Sequence, residues 1–230
     1  MEKIPNKGKN LIIKAGGKNY ERIPIRTHVI QESDDIVDVV VKYAGSHLLK
    51  NDILFVSERV VAITQGRAFP IKDIHPSRLA KFLVKFVHKS PYGIGLGSEW
   101  TMELAIREAG VARILFAAFC SAVTKPFGLR GVFYKVVGKN INAIDGPCSY
   151  TLAPFNEYAK LGPSNPNKVA KEITAKIKNQ CVIIDANDLG VNVLGRSDKK
   201  ISDDFCAAVF KDNPLGQTTE QTPLCIVRAI

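Results

Sequence analysis

The 230-residue sequence has no Cys-x-x-Cys pair, no dinucleotide-type Gly-x-Gly-x-x-Gly, and no Gly-Lys-Ser or Gly-Lys-Thr. These absences exclude the commonest zinc-knuckle spacing, the Rossmann fingerprint and the P-loop. The one glycine-dense stretch, Tyr92-Gly93-Ile94-Gly95-Leu96-Gly97, has the wrong spacing and follows a proline instead of a strand. No run of about 18 apolar residues is present to span a bilayer, so no membrane partner is expected. The first residues are polar and Lys-rich, without the apolar stretch of a secretory signal, which predicts a cytoplasmic location. The five cysteines are odd in number, widely spaced and mostly set in apolar runs, as free thiols are in a reducing compartment. Internal repeats and low-complexity linkers are also missing. Residues 1–230 therefore read as a single domain, with room for two lobes whose boundary the sequence does not mark.

What is present is an ordinary globular composition, 46% hydrophobic and 23% charged, with a net charge of +10. Such a surface attracts anions, and charge alone does not choose among nucleic acid, nucleotide and acidic metabolite.

Leu11 to Ala15, Gly16-Gly17 and Tyr20 to Thr27 read as a strand, a turn and a second strand. Alternation places Arg22 and Arg26 opposite Ile23 and Ile25. Ser33-Asp34-Asp35 reads as a helix start, with Ser33 as the cap, before the apolar stripe Ile36, Val39, Val40, Tyr43. Ile53 to Val56 predicts a buried strand that continues through Val60, Val61 and Ile63 to Gly66-Arg67. Ser77 starts a helix whose stripe, Leu79, Phe82, Leu83, Phe86 and Val87, is expected to face a core, with its lysines in solvent. Thr101 to Ala109 predicts a short helix stopped by Gly110, and Ile114 to Ala122 either a strand or a buried helix. Asn165-Pro166 predicts the cap and first turn of another helix, and Ser202-Asp203-Asp204 starts the last one. Helices interspersed with strands make a mixed α/β or α+β fold.

Three oxygen-rich stretches are candidates for chemistry. Cys181 to Ile184 reads as a buried strand that emerges into a loop bearing Asp185, Asn187 and Asp188, hard donors suited to Mg²⁺ or Mn²⁺. The same residues are equally good turn formers. Asp145 precedes Gly146-Pro147 and has the same two readings. Gly216 to Pro223 combines a glycine, hydroxyls and Glu220, either as a loop able to approach phosphate or as a surface connection.

In their order and spacing these features resemble the coenzyme F420 γ-glutamyl ligase family. The resemblance is carried by Ile23-Pro24-Ile25, Asp34-Asp35-Ile36, Asn51 to Val56 into Gln65-Gly66-Arg67, Ala143-Ile144-Asp145, Val182 to Gly190, and Gly216-Gln217 with Glu220 and Pro223 before Ile226-Val227-Arg228. It implies the family's fold, an intertwined homodimer, and an enzyme using GTP or ATP with Mg²⁺ or Mn²⁺. The implied reaction joins L-glutamate to an anionic carboxylate acceptor through an acyl phosphate. The resemblance makes Asp145, Asp185, Asn187 and Asp188 the metal ligands to consider. It assigns Ile23, Pro24, Ile25, Arg26, Gly216, Gln217, Thr218 and Glu220 to the nucleotide, and no catalytic side chain. Three departures stand out. Ala62-Ile63 replaces the family's Ser-Lys, Asn187-Asp188 replaces an Asp-Thr pair, and Gly146-Pro147-Cys148-Ser149 follows Asp145 where the family has Ser-Asn. The rivals are a nucleotide- or metabolite-binding homologue that does not ligate and a basic RNA-binding module. The second is disfavoured because Phe82 and Phe86 fall on a core stripe.

Overall fold

The computed structural model describes residues 3–87, 94–138, 140–187 and 190–230. Tyr92-Gly93 and Asp188 lie outside the described residues. The elements, in chain order, are β1 Ile12–Ala15, β2 Lys18–Ile25, α1 Ile36–Ala44, β3 Ile53–Ser57, α2 Glu58–Thr64, β4 Ala68–Pro70, α3 Arg78–Leu83 and α4 Glu99–Ala109. They continue with α5 Val111–Thr124, α6 Val132–Val137, β5 Tyr158–Lys160, α7 Pro166–Ile177, β6 Gln180–Asn187, β7 Gly190–Arg196, α8 Asp203–Val209 and β8 Leu224–Ala229. This is a mixed α+β fold in two compact units, Met1–Gly66 with Tyr150–Leu152 and Pro163–Ile230, and Arg67–Ser149 with Ala153–Gly162.

The first unit is built on a six-stranded sheet in the order β1-β2-β8-β3-β6-β7. Its strands are antiparallel except for the parallel pair β3 and β6, whose connection passes through α2, the whole second unit and α7. Both faces are covered. Leu54, Val56, Cys181, Ile183, Leu224 and Ile226 face one core with residues of α1 and α7. Phe55, Val182, Ile184, Cys225 and Val227 face the other with residues of α8. Double burial explains why these strands read as continuous apolar runs instead of alternating ones. It also buries Arg22, which projects onto the α8 face as alternation predicts and is fully enclosed there.

Three boundaries differ from expectation. Ser33 does not cap α1; the carboxylate of Asp35 accepts from the amides of Val37 and Asp38, and the helix starts two residues later. The predicted strand from Ile53 to Arg67 stops at Ser57, and α2 follows with Val60, Val61, Ala62 and Ile63 all buried. A helix buried on all sides has no polar period to distinguish it from a strand. At α7, Pro166 occupies the first turn as expected, but Asn165 takes the left-handed conformation and its side chain does not cap.

The second unit packs α3, α4, α5 and α6 around Met102, Leu104, Ile106, Ile114 and Ile141, beside the short ladder of β4 and β5. Ser98 and Thr101 form a reciprocal capping box at α4, and Gly110, at φ 85°, ends that helix and opens α5. The Ile114 to Ala122 run is helical, and of α5 only Ile114 and Ala117 are buried. Phe82 and Phe86 are exposed, stacked edge to face with centroids 5.2 Å apart, and do not enter a core. Their exposure removes the ground on which RNA binding is disfavoured in the sequence.

Candidate functional site

The strand directions bring several predicted site residues of the first unit to one edge of its sheet. β2 runs antiparallel to β8, β8 antiparallel to β3, and β3 parallel to β6. The ends of β2, β3 and β6 and the start of β8 therefore share an edge. Ile23, Pro24, Ile25 and Arg26, the loop before Leu224, and Asp185 to Asn187 all lie along it. β3 and β6 are parallel, and the carboxyl ends of parallel strands are where open α/β sheets place ligands.

β6 is longer than the sequence suggests. Its last pair with β3 is Ile184 with Ser57, yet it continues to Asn187 against β7, pairing Asp185 with Asn192 and Asn187 with Gly190. Asp185 and Asn187 are thus strand residues, not loop residues, and alternation puts both on the face that carries Cys181 and Ile183. Hairpin pairing with β7 stabilises this extension after β3 has ended. The side-chain carbonyl of Asn187 accepts from the Gly190 amide at 3.1 Å, so this residue also ties the end of β6 to the start of β7.

The Gly216–Pro223 stretch is an ordered loop closed on Glu220. The Glu220 carboxylate accepts from the Thr218 amide at 2.7 Å and from the Thr218 hydroxyl at 3.0 Å. Gly216 has φ 76°, and a Cβ there would lie 2.6 Å from the Glu220 carboxyl carbon. The left-handed conformation calls for glycine, and a Cβ would push the Glu220 carboxylate aside. Asn213 donates to the Gly216 carbonyl at 3.0 Å, and the Thr222 hydroxyl donates to the Leu215 carbonyl at 2.7 Å. The loop is tied to its neighbours through the Thr27 amide on the Gln221 carbonyl, the Arg26 guanidinium on the Gln221 side chain, and the Ser57 amide on the Pro223 carbonyl. One group stands apart: the side-chain nitrogen of Gln217 is buried and makes no hydrogen bond within the described residues. Ile23 and Ile25 point into the core and can offer a ligand only backbone, whereas Arg26 is exposed.

Asp145 belongs to the second unit. It forms an antiparallel bridge with Lys160, amide to carbonyl in both directions, at 3.2 and 2.9 Å. One carboxylate oxygen accepts from the Gly146 amide at 2.9 Å. Bridge partners project to the same face. Lys160 is buried, 5% exposed, with its ammonium donating to the Ala143 carbonyl at 2.8 Å. Sequence reading missed Lys160; the cue was a lysine inside the otherwise apolar stretch Ala159 to Leu161. It missed Glu58 too, an acid only 4% exposed in the first turn of α2. In the same unit as Lys160, Arg67 donates to the Gly162 carbonyl at 2.7 Å and pairs with Glu108 at 3.0 Å.

Ala62 and Ile63, where the resemblance leads one to expect Ser-Lys, are buried in α2. An ammonium at position 63 would be taken out of water, so this helix is adapted to apolar residues. Among the described residues no three His, Cys, Asp or Glu side chains converge as a metal cluster.

The sequence model described as F420-0:gamma-glutamyl ligase matches residues 24–191. The chain belongs to this family. No curated protein matches it significantly. The F420-0:gamma-glutamyl ligase match takes in the end of β2, α1 through α7, β6 and the first residues of β7, and so includes Asp145, Asp185 and Asn187. It stops short of the Gly216–Glu220 loop. The family gives a ligase and an enzyme; among the described residues no helix is long and apolar enough to cross a membrane.

Proposed function

We propose that this family member is a nucleotide- and divalent-metal-dependent ligase that joins L-glutamate to an anionic carboxylate acceptor through an acyl phosphate. The observation that carries this reading is the family match over residues 24–191. The shared sheet edge supports it by collecting residues from β2, β6 and the Gly216 loop. The donors suit the metal: Mg²⁺ and Mn²⁺ take oxygen ligands and complete their shells with water and phosphate, so one or two protein carboxylates suffice. Asp185 and Asn187 on β6, with Asp188, would hold it, and Asp145 is the candidate carried by the second unit. When bound, the metal neutralises charge on the transferring phosphoryl group.

The protein's own part is binding and orientation. Gln217 would donate its unpartnered side-chain nitrogen to a phosphate oxygen, while the Thr218 amide and hydroxyl, both donated to Glu220, hold the shape of the loop. Arg26 supplies the exposed cation on that edge. The acceptor carboxylate attacks the terminal phosphorus, nucleoside diphosphate leaves, and the glutamate amine then displaces phosphate to form the amide. GTP and ATP are both compatible with these contacts. A homodimer is part of the reading, tested by sedimentation velocity.

A screen for nucleoside diphosphate release, with glutamate and a panel of carboxylate metabolites, tests the proposal. Release is expected to require glutamate, an acceptor and a divalent metal, and Asp145→Ala to lower it at least about tenfold, a loss of about 1.4 kcal/mol of transition-state stabilisation. Unchanged turnover in that variant removes Asp145 from the candidate ligands. If calorimetric titration with GTP, ATP and Mn²⁺ detects no metal-dependent nucleotide binding, the non-ligating homologue is the better reading. Gln217→Leu separates a ligand contact from a structural one. The nucleotide KM should rise at least about fivefold, roughly the worth of one hydrogen bond, with unchanged thermal stability.

A further inference from the structure

The second unit exposes an apolar face that the ligase reading does not use. At 3.6 residues per turn, Val111, Leu115, Phe116, Phe119 and Val123 of α5 fall within an arc of about 140°. All are exposed, Phe116 at 60% and Phe119 at 65%. Ile114 and Ala117, the buried residues, lie on the other side. This helix therefore has two apolar faces, and only one is covered. Directly after α5, the turn that follows exposes Phe127 at 79% and Leu129 at 57%. Exposed apolar surface of this extent marks an interaction site.

The surrounding charge selects the partner. Between Val111 and Ile144 the sequence contains Arg113, Lys125, Arg130 and Lys135 among the described residues and not one Asp or Glu. A second copy meeting this face about a two-fold axis would bring two basic segments together with no acid of the segment to pair. RNA would find flat aromatics, but the exposed arc of α5 carries no side chain able to donate or accept a hydrogen bond, and its aliphatic members do not stack on bases. A surface that is hydrocarbon below and negatively charged above satisfies both the arc and the basic segment that carries it.

We propose that the exposed face of α5, continued by Phe127 and Leu129, docks this protein reversibly on an anionic lipid bilayer. The phenylalanines would enter the boundary between headgroups and acyl chains while the arginines and lysines meet lipid phosphates. The association is peripheral, since α5 has 14 residues and a spanning helix needs about 20.

Vesicle flotation tests this with the full chain, using phosphatidylcholine vesicles and vesicles in which about one third of the lipid is phosphatidylglycerol. The protein should float with the anionic vesicles at least about tenfold more than with neutral ones, and binding should fall at about 0.5 M salt as the headgroup field is screened. Phe116→Ser/Phe119→Ser should reduce flotation at least about tenfold, and Phe127→Ser at least about threefold, both at exposed positions that leave folding intact. Failure of the wild type to float, or flotation that both variants retain, overturns the proposal. So does a concentration-dependent dimer, or poly(U) binding stronger than vesicle binding, that is lost in Phe116→Ser/Phe119→Ser. Those results assign the face to a second copy or to nucleic acid.

Discussion

Asp212→Ala is expected to cost about 3–5 kcal/mol of folding stability, the range seen when one partner of a buried ion pair is removed. The reason lies with Arg22. Its guanidinium is fully enclosed between β2 and α8, donating to the Val209 carbonyl at 3.1 Å, to the Asn10 carbonyl, and to both carboxylate oxygens of Asp212. Removing the carboxylate leaves the charge buried with only carbonyls for partners. Urea denaturation followed by circular dichroism measures the loss. Arg22→Met/Asp212→Ala, which removes both charges and keeps much of the volume, should recover at least about half of it, because the penalty lies in the unpaired charge. A single-variant cost below about 1 kcal/mol would mean that water reaches Arg22.

The same pair gives a pH dependence. Burial alone would raise the Asp212 carboxyl, but hydrogen bonds from Arg22 and the Asn10 amide outweigh it and hold the group below the ordinary carboxylate value. A depressed acid contributes stability that is complete above its unfolded pKa and lost as pH falls through the folded one. The stability gap between wild type and Asp212→Asn should therefore stay constant from about pH 8 to about pH 5 and narrow below about pH 4.

The legible parts of the fold were those with a single strong local signal. Ser77 and Ser202 cap their helices as their sequences indicate, Gly110 stops α4, and Pro166 opens α7. The failures have a common physical origin. Residues Val60 to Ile63 and Ile114 to Ala122 are apolar all round, and periodicity cannot separate a strand from a helix when no polar residue marks a face. In α2 the apolar residues are buried on every side; in α5 most of them are exposed. Only tertiary contacts decide between these outcomes, which is why Phe82, Phe86 and the α5 face were misread or unread. Of the candidate residues, the oxygen-rich segments were visible, but the placement of those of the first unit along one sheet edge was not. That Ile25, Asp185 and the Gly216 loop lie along one sheet edge follows from β8 lying between β2 and β3, a long-range pairing with no local trace. Lys160 was hidden for the opposite reason, since a charged residue reads as exposed unless its bridge to Asp145 is known.

Gly195→Ala is expected to destabilise the protein by at least about 3 kcal/mol, the upper range for overpacking, because the atoms it would strike are backbone and cannot turn aside. A Cβ at Gly195 would sit 2.4 Å from the Pro166 carbonyl carbon and 2.7 Å from the Asn167 nitrogen. This is the point at which the first turn of α7 rests on β7. Next to it, the Asn167 side chain accepts from the Arg196 amide at 2.9 Å, so helix and strand are tied at the place where they are closest. The register shift also falls here: Ile183 pairs with Gly195 and Ile184 with Val193, leaving Leu194 as the extra residue of a bulge. Displacing α7 would therefore disturb the β6–β7 ladder that carries Asp185 and Asn187 beyond the end of β3. The variant should lose metal-dependent nucleotide binding in the temperature range where the wild type keeps it, ahead of global unfolding by circular dichroism. Gly190→Ala in the same hairpin is the control. No atom lies within 4 Å of a Cβ built there, and its φ is not in the left-handed region, so it should change stability by less than about 1 kcal/mol. Equal effects from the two substitutions would show that loss of glycine flexibility, not the contact with α7, sets the cost.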